Sequence, residues 1–380
     1  MTKKIRLALL YGGKSGEHEV SIQTAFSVLR ALDMTRYEPI PVYITIRGDW
    51  LQGEPLSEPP ASIEQLRLGP STATTTNADK TDRPNILTAA VNNTPSWLDT
   101  DVVFPLLHGP NGEDGTVQGM LELAGIPYVG SGVTASAVGM DKAMMKSVFA
   151  AHGLPQVAYR VYTRRQWEQT PEQIAADIMS QLGLPCFVKP ANLGSSVGIS
   201  KAKTKEQLHA AMDLAARFDR KIIVEAFVDA REIEVAVLGN DEPIASVPGE
   251  ILPSKEFYDY EAKYLDGKSR LIIPAELPEA TAKQIRQMAI QAFKAIDASG
   301  LSRVDFFLTR DSGDIFINEI NTMPGFTQYS MYPLLWQHSG ISYSDLIDRL
   351  IQLALERHEE KQRSHIFPDE WNTKASSTKQ

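Results

Sequence analysis

Hydrophobic positions recur along the chain at two spacings, and each spacing predicts its own kind of element. Ile5 to Leu10 is a short apolar, β-rich run that ends at Gly12-Gly13. Val20 to Leu32 places Val20, Ala25, Val28, Leu29 and Leu32 on one helical stripe. Pro39 to Ile46 reads as a second strand and Val102 to Leu107 as a later one. Strands alternating with helices predict an α/β N-terminal domain built on a parallel sheet. From Asp141 onward the pattern is mixed α+β. Cys186 to Lys189 and Ile222 to Phe227 read as strands, and Glu232 to Leu238 alternates with a period of two. Ala282 to Ile296 carries Ala282, Ile285, Ala289, Ala292 and Ile296 on one face of a helix. Arg303 to Leu308 and Ile315 to Ile320 flank Thr309-Arg310-Asp311-Ser312-Gly313-Asp314, whose Asp and Gly residues signal a hairpin. A last helix spans about Ser344 to His358, and Glu359 to Gln380 is a polar tail. The stretch Gly53 to Thr100, rich in Pro, Ser, Thr and Asn, reads as surface elaboration. There is no internal repeat.

Composition narrows the class. A chain of 380 residues exceeds what one hydrophobic core supports, so two or three domains are expected. The formal net charge of −9 argues against broad nucleic-acid binding, which needs clustered cations, but leaves room for a local basic pocket. The single cysteine, Cys186, excludes an internal disulfide and suits a reducing compartment. Its neighbours Pro185, Phe187 and Val188 offer no base, so it reads as a small apolar strand residue. Met1 to Leu10 lacks the long apolar stretch and cleavage site of a leader, and no window approaches the ~18 apolar residues of a membrane span. A cytoplasmic protein without membrane partners is expected.

The richest chemistry lies in the hairpin. A turn centred on Ser312 sets Asp305 opposite Glu319 and Arg303 opposite Asn321, with all four on one face. Opposed carboxylates repel, so the pair needs a compensating cation, and Asp, Glu and Asn oxygens are ligands that Mg²⁺ prefers. A solvated face with chance pairing is the blander alternative. The apolar neighbours Val304, Phe306, Phe307, Leu308, Phe316, Ile317 and Ile320 argue against it, because such strands are buried. Lys189 stands at a strand end before the small-residue loop Pro190 to Gly198, which offers a cation and free N–H groups to phosphates without being a Walker A loop. Taken alone, such a loop is more often a plain turn. Val224-Glu225-Ala226-Phe227-Val228, with Glu232 and Glu234 behind, could present backbone and carboxylate to a nucleoside, although an ordinary strand with an acidic turn fits equally. Gly12 to Ser21 and His108 to Gly115 are glycine-rich loops at strand ends, where ligand crevices form. By itself His108 fits a packed loop histidine as readily as a ligand.

These segments, in this order, resemble the ATP-grasp superfamily and, within it, the D-alanine–D-alanine ligases. The resemblance runs from about Arg6 to about His358. It rests on Gly-Gly-Lys-Ser-Gly-Glu-His-Glu-Val-Ser at 12–21, His-Gly-Pro-Asn-Gly-Glu-Asp-Gly at 108–115, Gly-Met-Asp-Lys at 139–142 and Val-Lys-Pro at 188–190. Gly-Ser-Ser-Val-Gly at 194–198, Phe-Tyr-Asp-Tyr-Glu-Ala-Lys-Tyr at 257–264, Arg-Val-Asp at 303–305 and Asn-Glu-Ile-Asn-Thr-Met-Pro-Gly-Phe-Thr at 318–327 complete it. The resemblance implies a Rossmann-like substrate domain over 1–138, a central ATP-grasp subdomain over 139–228, a C-terminal catalytic ATP-grasp domain over 229–360 and a polar tail over 361–380.

It further implies ligation of two D-alanines through an acyl phosphate, with ATP and two Mg²⁺ ions (Mn²⁺ able to substitute), for peptidoglycan precursors and so for the cell wall and cell shape. Lys142 and Lys189 would bind phosphates, and Glu225, Val228 and Glu232 would hold adenosine. Ser196 and Asn318 would also belong to the ATP site. Asp305, Glu319 and Asn321 would ligate the metal. Glu19 would hold the first substrate's ammonium, with Ser195 and Tyr264 hydrogen-bonded nearby and His108 close to that substrate's carboxylate. Arg303 and the N–H of Gly325 would stabilise the oxyanion, and Ser330 and Met331 would meet the second substrate's carboxylate. Lys263 would close over the phosphates from a mobile lid, Lys255–Ile273. A homodimer is implied as well. The rival expectations are a D-alanine–D-lactate ligase, which tends to replace the tyrosine at 264, and a non-catalytic nucleotide-binding regulator, which would lose a ligand or lysine. A nicotinamide dehydrogenase ranks last, because the Gly12–Gly16 spacing does not make its fingerprint.

Overall fold

The computed structural model describes residues 3–69, 99–195, 197–252 and 270–364. Three sheets follow one another along the chain.

The first holds β1 (Ile5–Gly12), β2 (Tyr37–Ile44), β3 (Trp50–Gln52) and β4 (Val102–Pro105) in the order β3-β2-β1-β4, with helix α1 (His18–Ala31) between β1 and β2. β1 runs parallel to β2 and β4, whereas β3 is antiparallel to β2. Both faces of β1 are buried, which is why its sequence is continuously apolar. Leu7, Leu9 and Tyr11 pack towards α1, and Ala8 and Leu10 pack with Val117 and Leu121 of α2 (Thr116–Ala124). Gly12 closes the strand at φ +90°, where a Cβ would stand 2.2 Å from the Ile44 carbonyl oxygen, so only glycine fits.

Helices α3 (Val133–Met140) and α4 (Lys142–Ala151) lead into the second sheet. There β5 (Tyr159–Thr163), β6 (Cys186–Pro190), β7 (Ser200–Ala202) and β8 (Lys221–Ala226) run in the order β5-β8-β6-β7. Helices α5 (Arg164–Gln169), α6 (Pro171–Gln181) and α7 (Lys205–Phe218) accompany them, α6 and α7 packing on the sheet through Ile174, Ile178, Leu208 and Met212. Cys186 is buried in this core and, with burial pushing its thiol up to about 11, stays a small apolar residue.

The third sheet comprises β9 (Ala230–Gly239), β10 (Ile244–Ala245), β11 (Gly249–Leu252), β12 (Arg270–Ile272), β13 (Gly300–Thr309) and β14 (Ile315–Asn321). Its path is β12-β11-β9-β13-β14, all antiparallel. α8 (Glu279–Ala295) covers it with Ile285, Ala289, Ala292 and Phe293. The last two helices, α9 (Met331–His338) and α10 (Tyr343–Gln362), return to the first sheet. Leu335, Leu346, Leu350 and Ile351 join Leu7, Leu9 and Val28 in a single core. Tyr37 donates to Asp348, and Arg357 donates to the carbonyls of Gly130 and Tyr128, so α10 is bound to the N-terminal layer. The chain that builds the third sheet therefore returns to the first sheet's core.

The hairpin pairing is Arg303↔Asn321 and Asp305↔Glu319, in the register expected. It is reached by a different route. Nearer the turn the pairs are Phe306↔Ile317 and Leu308↔Ile315, and a bulge after Asp305 leaves Asn318 as the extra residue. Bulges break strict alternation and re-aim side chains, and this one restores the predicted register in the acidic segment.

Candidate active site

Three loops and one hairpin meet where the first sheet's carboxyl ends face the two later sheets. Ser195 is in the loop after β6, in the left-handed region at φ 51°, an uncommon conformation for a residue with a Cβ. Its hydroxyl donates to Glu17 Oε1 in the loop after β1. The expected partner was Glu19, and the geometry corrects this. Glu19 lies in the first turn of α1, 61% exposed, and is paired with Arg67. Glu17 is the N-cap residue, just before the helix, and stays in the crevice. A Cβ on Gly109 would lie 2.9 Å from Glu17 Oε2 and one on Gly194 3.5 Å away, so both glycine loops close on this carboxylate.

Beside it is Glu113, whose Oε1 accepts the Gly109 N–H at 2.8 Å. Withdrawal from water and then the charge of Glu17 push its carboxyl up to about 8, against the lowering effects of the Gly109 bond and Lys142. His108 is buried, with Nδ1 3.2 Å from the Met323 carbonyl and Nε2 3.3 Å from Thr24 Oγ1. A carbonyl accepts only, so Nδ1 carries the hydrogen and Nε2 accepts from Thr24. Burial lowers its pKa, so it stays a neutral, fixed imidazole.

The cations come from the central lobe. Lys142 opens α4, and its Nζ lies 3.1 Å from both Glu319 Oε2 and the Leu193 carbonyl. Asp141 caps the same helix through the N–H groups of Ala143 and Met144, which fixes where Lys142 emerges. Lys189 Nζ lies 2.5 Å from Glu225 Oε2, and the other oxygen of Glu225 meets Lys146 at 2.8 Å. Burial alone would raise the Glu225 carboxyl, but the two ammoniums outweigh it and hold it at about 2. Glu225, expected to face adenosine, thus bridges two lysines. Val228 and Glu232 are half-buried at the β8–β9 connection and the start of β9.

Arg303 supplies the cation that the acidic hairpin requires. Its Nε and Nη2 each donate to Asp305 at 2.7 Å, and Nε is 2.9 Å from Glu234 Oε2. Glu234 is paired with Asp305 on the next strand, so carboxylates from β9, β13 and β14 stand in one row. Asn321 Nδ2 donates to Asp305 Oδ2 at 3.1 Å. Two carboxylates and an amide on one face are hard oxygen donors of the kind a divalent cation takes. Among the described residues no group of three or more His, Cys, Asp or Glu is arranged as a metal site.

Gly325 faces Ser330, whose Oγ would lie 3.2 Å from a Cβ there. Ser330 is the N-cap of α9 and Met331 its first residue, so free N–H groups at this end favour an anion. Lys263, Tyr264, Ser196 and the lid segment as far as residue 269 lie outside the described residues. Glu17, Glu113 and Lys146 are site residues that sequence reasoning did not single out, and Glu234, expected with Glu232 to offer a carboxylate to a nucleoside, is paired with Arg303 instead. Lys146 had a usable signal, a lysine one turn after Lys142 on a helix that is apolar at Met145 and Phe149.

Two α+β sheets, with Lys142 from the helix leading into one of them reaching Glu319 on the acidic hairpin of the other, form the ATP-grasp arrangement, with a mainly parallel sheet in front. The sequence profile described as D-ala D-ala ligase N-terminus matches residues 6–131, and D-ala D-ala ligase C-terminus matches 148–352. The chain belongs to the D-ala D-ala ligase family. It is 56% identical over 359 residues to the D-alanine–D-alanine ligase of Geobacillus kaustophilus, covering 94% of this chain and 97% of that one. It is 53% identical over 368 residues to the Listeria monocytogenes D-alanine–D-alanine ligase, covering 94% and 97%. Among solved structures, the D-alanine-D-alanine ligase from Coxiella burnetii superposes with a TM-score of 0.78 at 36% identity, over 95% of this chain and 97% of that chain. VanG D-Ala:D-Ser ligase from Enterococcus faecalis superposes at 0.76 and 34% identity, over 93% and 100%. Among the described residues no helix is long and apolar enough to cross a membrane.

Proposed function

We propose that the chain joins two D-alanines into D-alanyl-D-alanine at the expense of ATP, releasing ADP and phosphate, as a step towards peptidoglycan precursors in the cytoplasm. The observation that carries this reading is the meeting of Glu17 and Ser195 beside the Lys142–Glu319 pair. It supports the reading because a carboxylate suited to an ammonium then stands near a lysine suited to phosphate and an acidic hairpin.

A carboxylate does not condense with an amine in water, so one of its oxygens must first become a leaving group. In this reading the first D-alanine's ammonium sits against Glu17. Its carboxylate oxygen attacks the γ-phosphorus of ATP, the bond to the β-phosphate oxygen breaks, and ADP leaves an acyl phosphate. Lys142 and Lys189 neutralise charge that builds on the phosphoryl oxygens. Asp305, Glu319 and Asn321 would hold Mg²⁺, as two ions with Mn²⁺ able to substitute, which supplies further charge neutralisation. The second D-alanine, its carboxylate at Ser330, Met331 and the α9 N-terminus, attacks the acyl carbon through its neutral amine. Arg303 and the Gly325 N–H stabilise the oxyanion, which collapses with loss of phosphate. His108, held neutral, lines the first substrate's side without adding charge. Val228, Glu232, Ser196 and Asn318 complete the nucleotide site, and Lys263 and Tyr264 act from a lid that keeps water off the acyl phosphate. The domain limits 1–138, 139–228 and 229–360 follow the same reading, with α9 and α10 returning to the first layer, and the enzyme acts as a homodimer.

The test is phosphate release from ATP with D-alanine and Mg²⁺, with the product weighed by mass spectrometry. D-alanyl-D-alanine formed in step with phosphate supports the reading. Phosphate release that ignores D-alanine overturns it.

A further inference from the structure

Lys146 takes no part in the mechanism above, yet it is the most deeply withdrawn cation in the site. α4 carries Lys142 and Lys146 one turn apart, so both side chains leave one face of the helix. Lys142 reaches Glu319, and Lys146 reaches Glu225 Oε1 at 2.8 Å with its own side chain 0% exposed. The ring of Tyr159 lies 5.4 Å from the Lys146 ammonium, and Tyr159 is paired with Glu225 across β5 and β8. At that distance the Lys146 ammonium holds the Glu225 carboxylate by opposite charge in a site closed to water. An ammonium buried this way is costly unless it is paired, so its presence calls for a role.

Charge arithmetic suggests one. Glu225 gives its other oxygen to Lys189 at 2.5 Å. Two ammoniums against one carboxylate leave the cluster with a surplus of one positive charge. Without Lys146, Glu225 would neutralise Lys189 alone, and the surplus would vanish from the place where an anion is to bind.

We propose that Lys146 is a positioning residue for the nucleotide. By holding one oxygen of Glu225 it fixes that carboxylate's orientation and leaves the positive charge of Lys189 uncompensated, available to the phosphates of ATP. The proposal rests on the reading of Lys189 as a phosphate ligand.

The experiment is a double-mutant cycle on the full chain, with wild type, Lys146→Met, Glu225→Gln and the double variant. Lys146→Gln takes the place of Met if the Met variant does not fold by its melting curve. The readouts are the dissociation constant for ATP with Mg²⁺ and the separate KM values for ATP and D-alanine. Lys146→Met should weaken ATP binding and raise the KM for ATP by about tenfold or more, with the KM for D-alanine changed less than about twofold. In the Glu225→Gln background the same substitution should cost less than about threefold, because its partner is already neutral. Equal changes in both KM values, or costs that multiply independently, overturn the proposal, since a packing role alone produces those results. A wild type that shows no D-alanine-dependent phosphate release overturns the ligase reading and this proposal with it. An active wild type with an unaltered Lys146→Met overturns the positioning role alone.

Discussion

Ser195 and Glu17 lie 178 positions apart, and the serine hydroxyl donates to the glutamate carboxylate across the crevice between the central lobe and the first sheet. That contact sets Glu17 apart from Glu19, two residues on, which is turned outward to Arg67. Glu17→Gln should therefore lower kcat/KM for D-alanine by two orders of magnitude or so, as expected for an ion pair with substrate replaced by a neutral contact. Glu19→Gln should leave kcat/KM within about threefold, because an exposed ion pair contributes ~1 kcal/mol or less. Steady-state kinetics on both variants decide it, and the reverse ranking would return the substrate role to Glu19.

Asp305 and Glu319 face each other in the hairpin, with Arg303 and Lys142 as their cations. Glu319→Gln removes a hard anionic oxygen and relieves like-charge repulsion across the strands. Turnover should fall by orders of magnitude while the protein still folds, the relief of repulsion being offset by the loss of a partner for Lys142. Phosphate release over a Mg²⁺ series is the measurement, and full activity at ordinary Mg²⁺ would remove Glu319 from the metal set.

Glu113 gives a pH signature. Its carboxyl is pushed up from the ordinary 4.5 to about 8, so the folded protein keeps a proton that the unfolded chain has released. The stability this contributes is fully present below pH 4.5 and is lost as pH rises towards 8. Glu113→Gln cannot lose a proton. Its melting temperature without nucleotide should therefore pull ahead of wild type between those limits, by on the order of a few °C, and the gap should level off above them. A constant gap across the series would show that Glu113 is already ionised at neutral pH.

Tyr264, which lies outside the described residues, is expected to govern the choice of second substrate. Phe keeps the ring, so Tyr264→Phe should fold like wild type. It should gain D-alanyl-D-lactate formation, most clearly at lower pH, where less D-alanine carries a free amine. Product analysis with both acceptors across a pH series tests this, and dipeptide alone at every pH counts against a selecting role.

Much of the fold was legible because local chemistry and tertiary structure agree. The hairpin combined alternating apolar strands with an Asp/Gly turn, so Arg303, Asp305, Glu319 and Asn321 were placed on one face from spacing alone. Asn318 was harder, since a bulge obeys no period. Glu17 and Glu19 are both glutamates flanking His18, and only the start of α1 separates them. Two residues along a helix turn a side chain about 200° about the axis, which takes Glu19 to the outer face. The return of α9 and α10 to the first sheet puts Leu350 and Leu7 in one core, a relation that no local window contains. Bridging by Glu225 was hidden for the same reason, because its two lysines come from a helix and a strand far apart in sequence.

In the proposed reaction one carboxylate oxygen of the first D-alanine becomes the fourth oxygen of the phosphate released. D-alanine labelled with oxygen-18 in its carboxylate, turned over with unlabelled ATP, tests this directly. One labelled oxygen should appear in each phosphate released, in step with the dipeptide formed. Unlabelled phosphate alongside the same amount of dipeptide would contradict it.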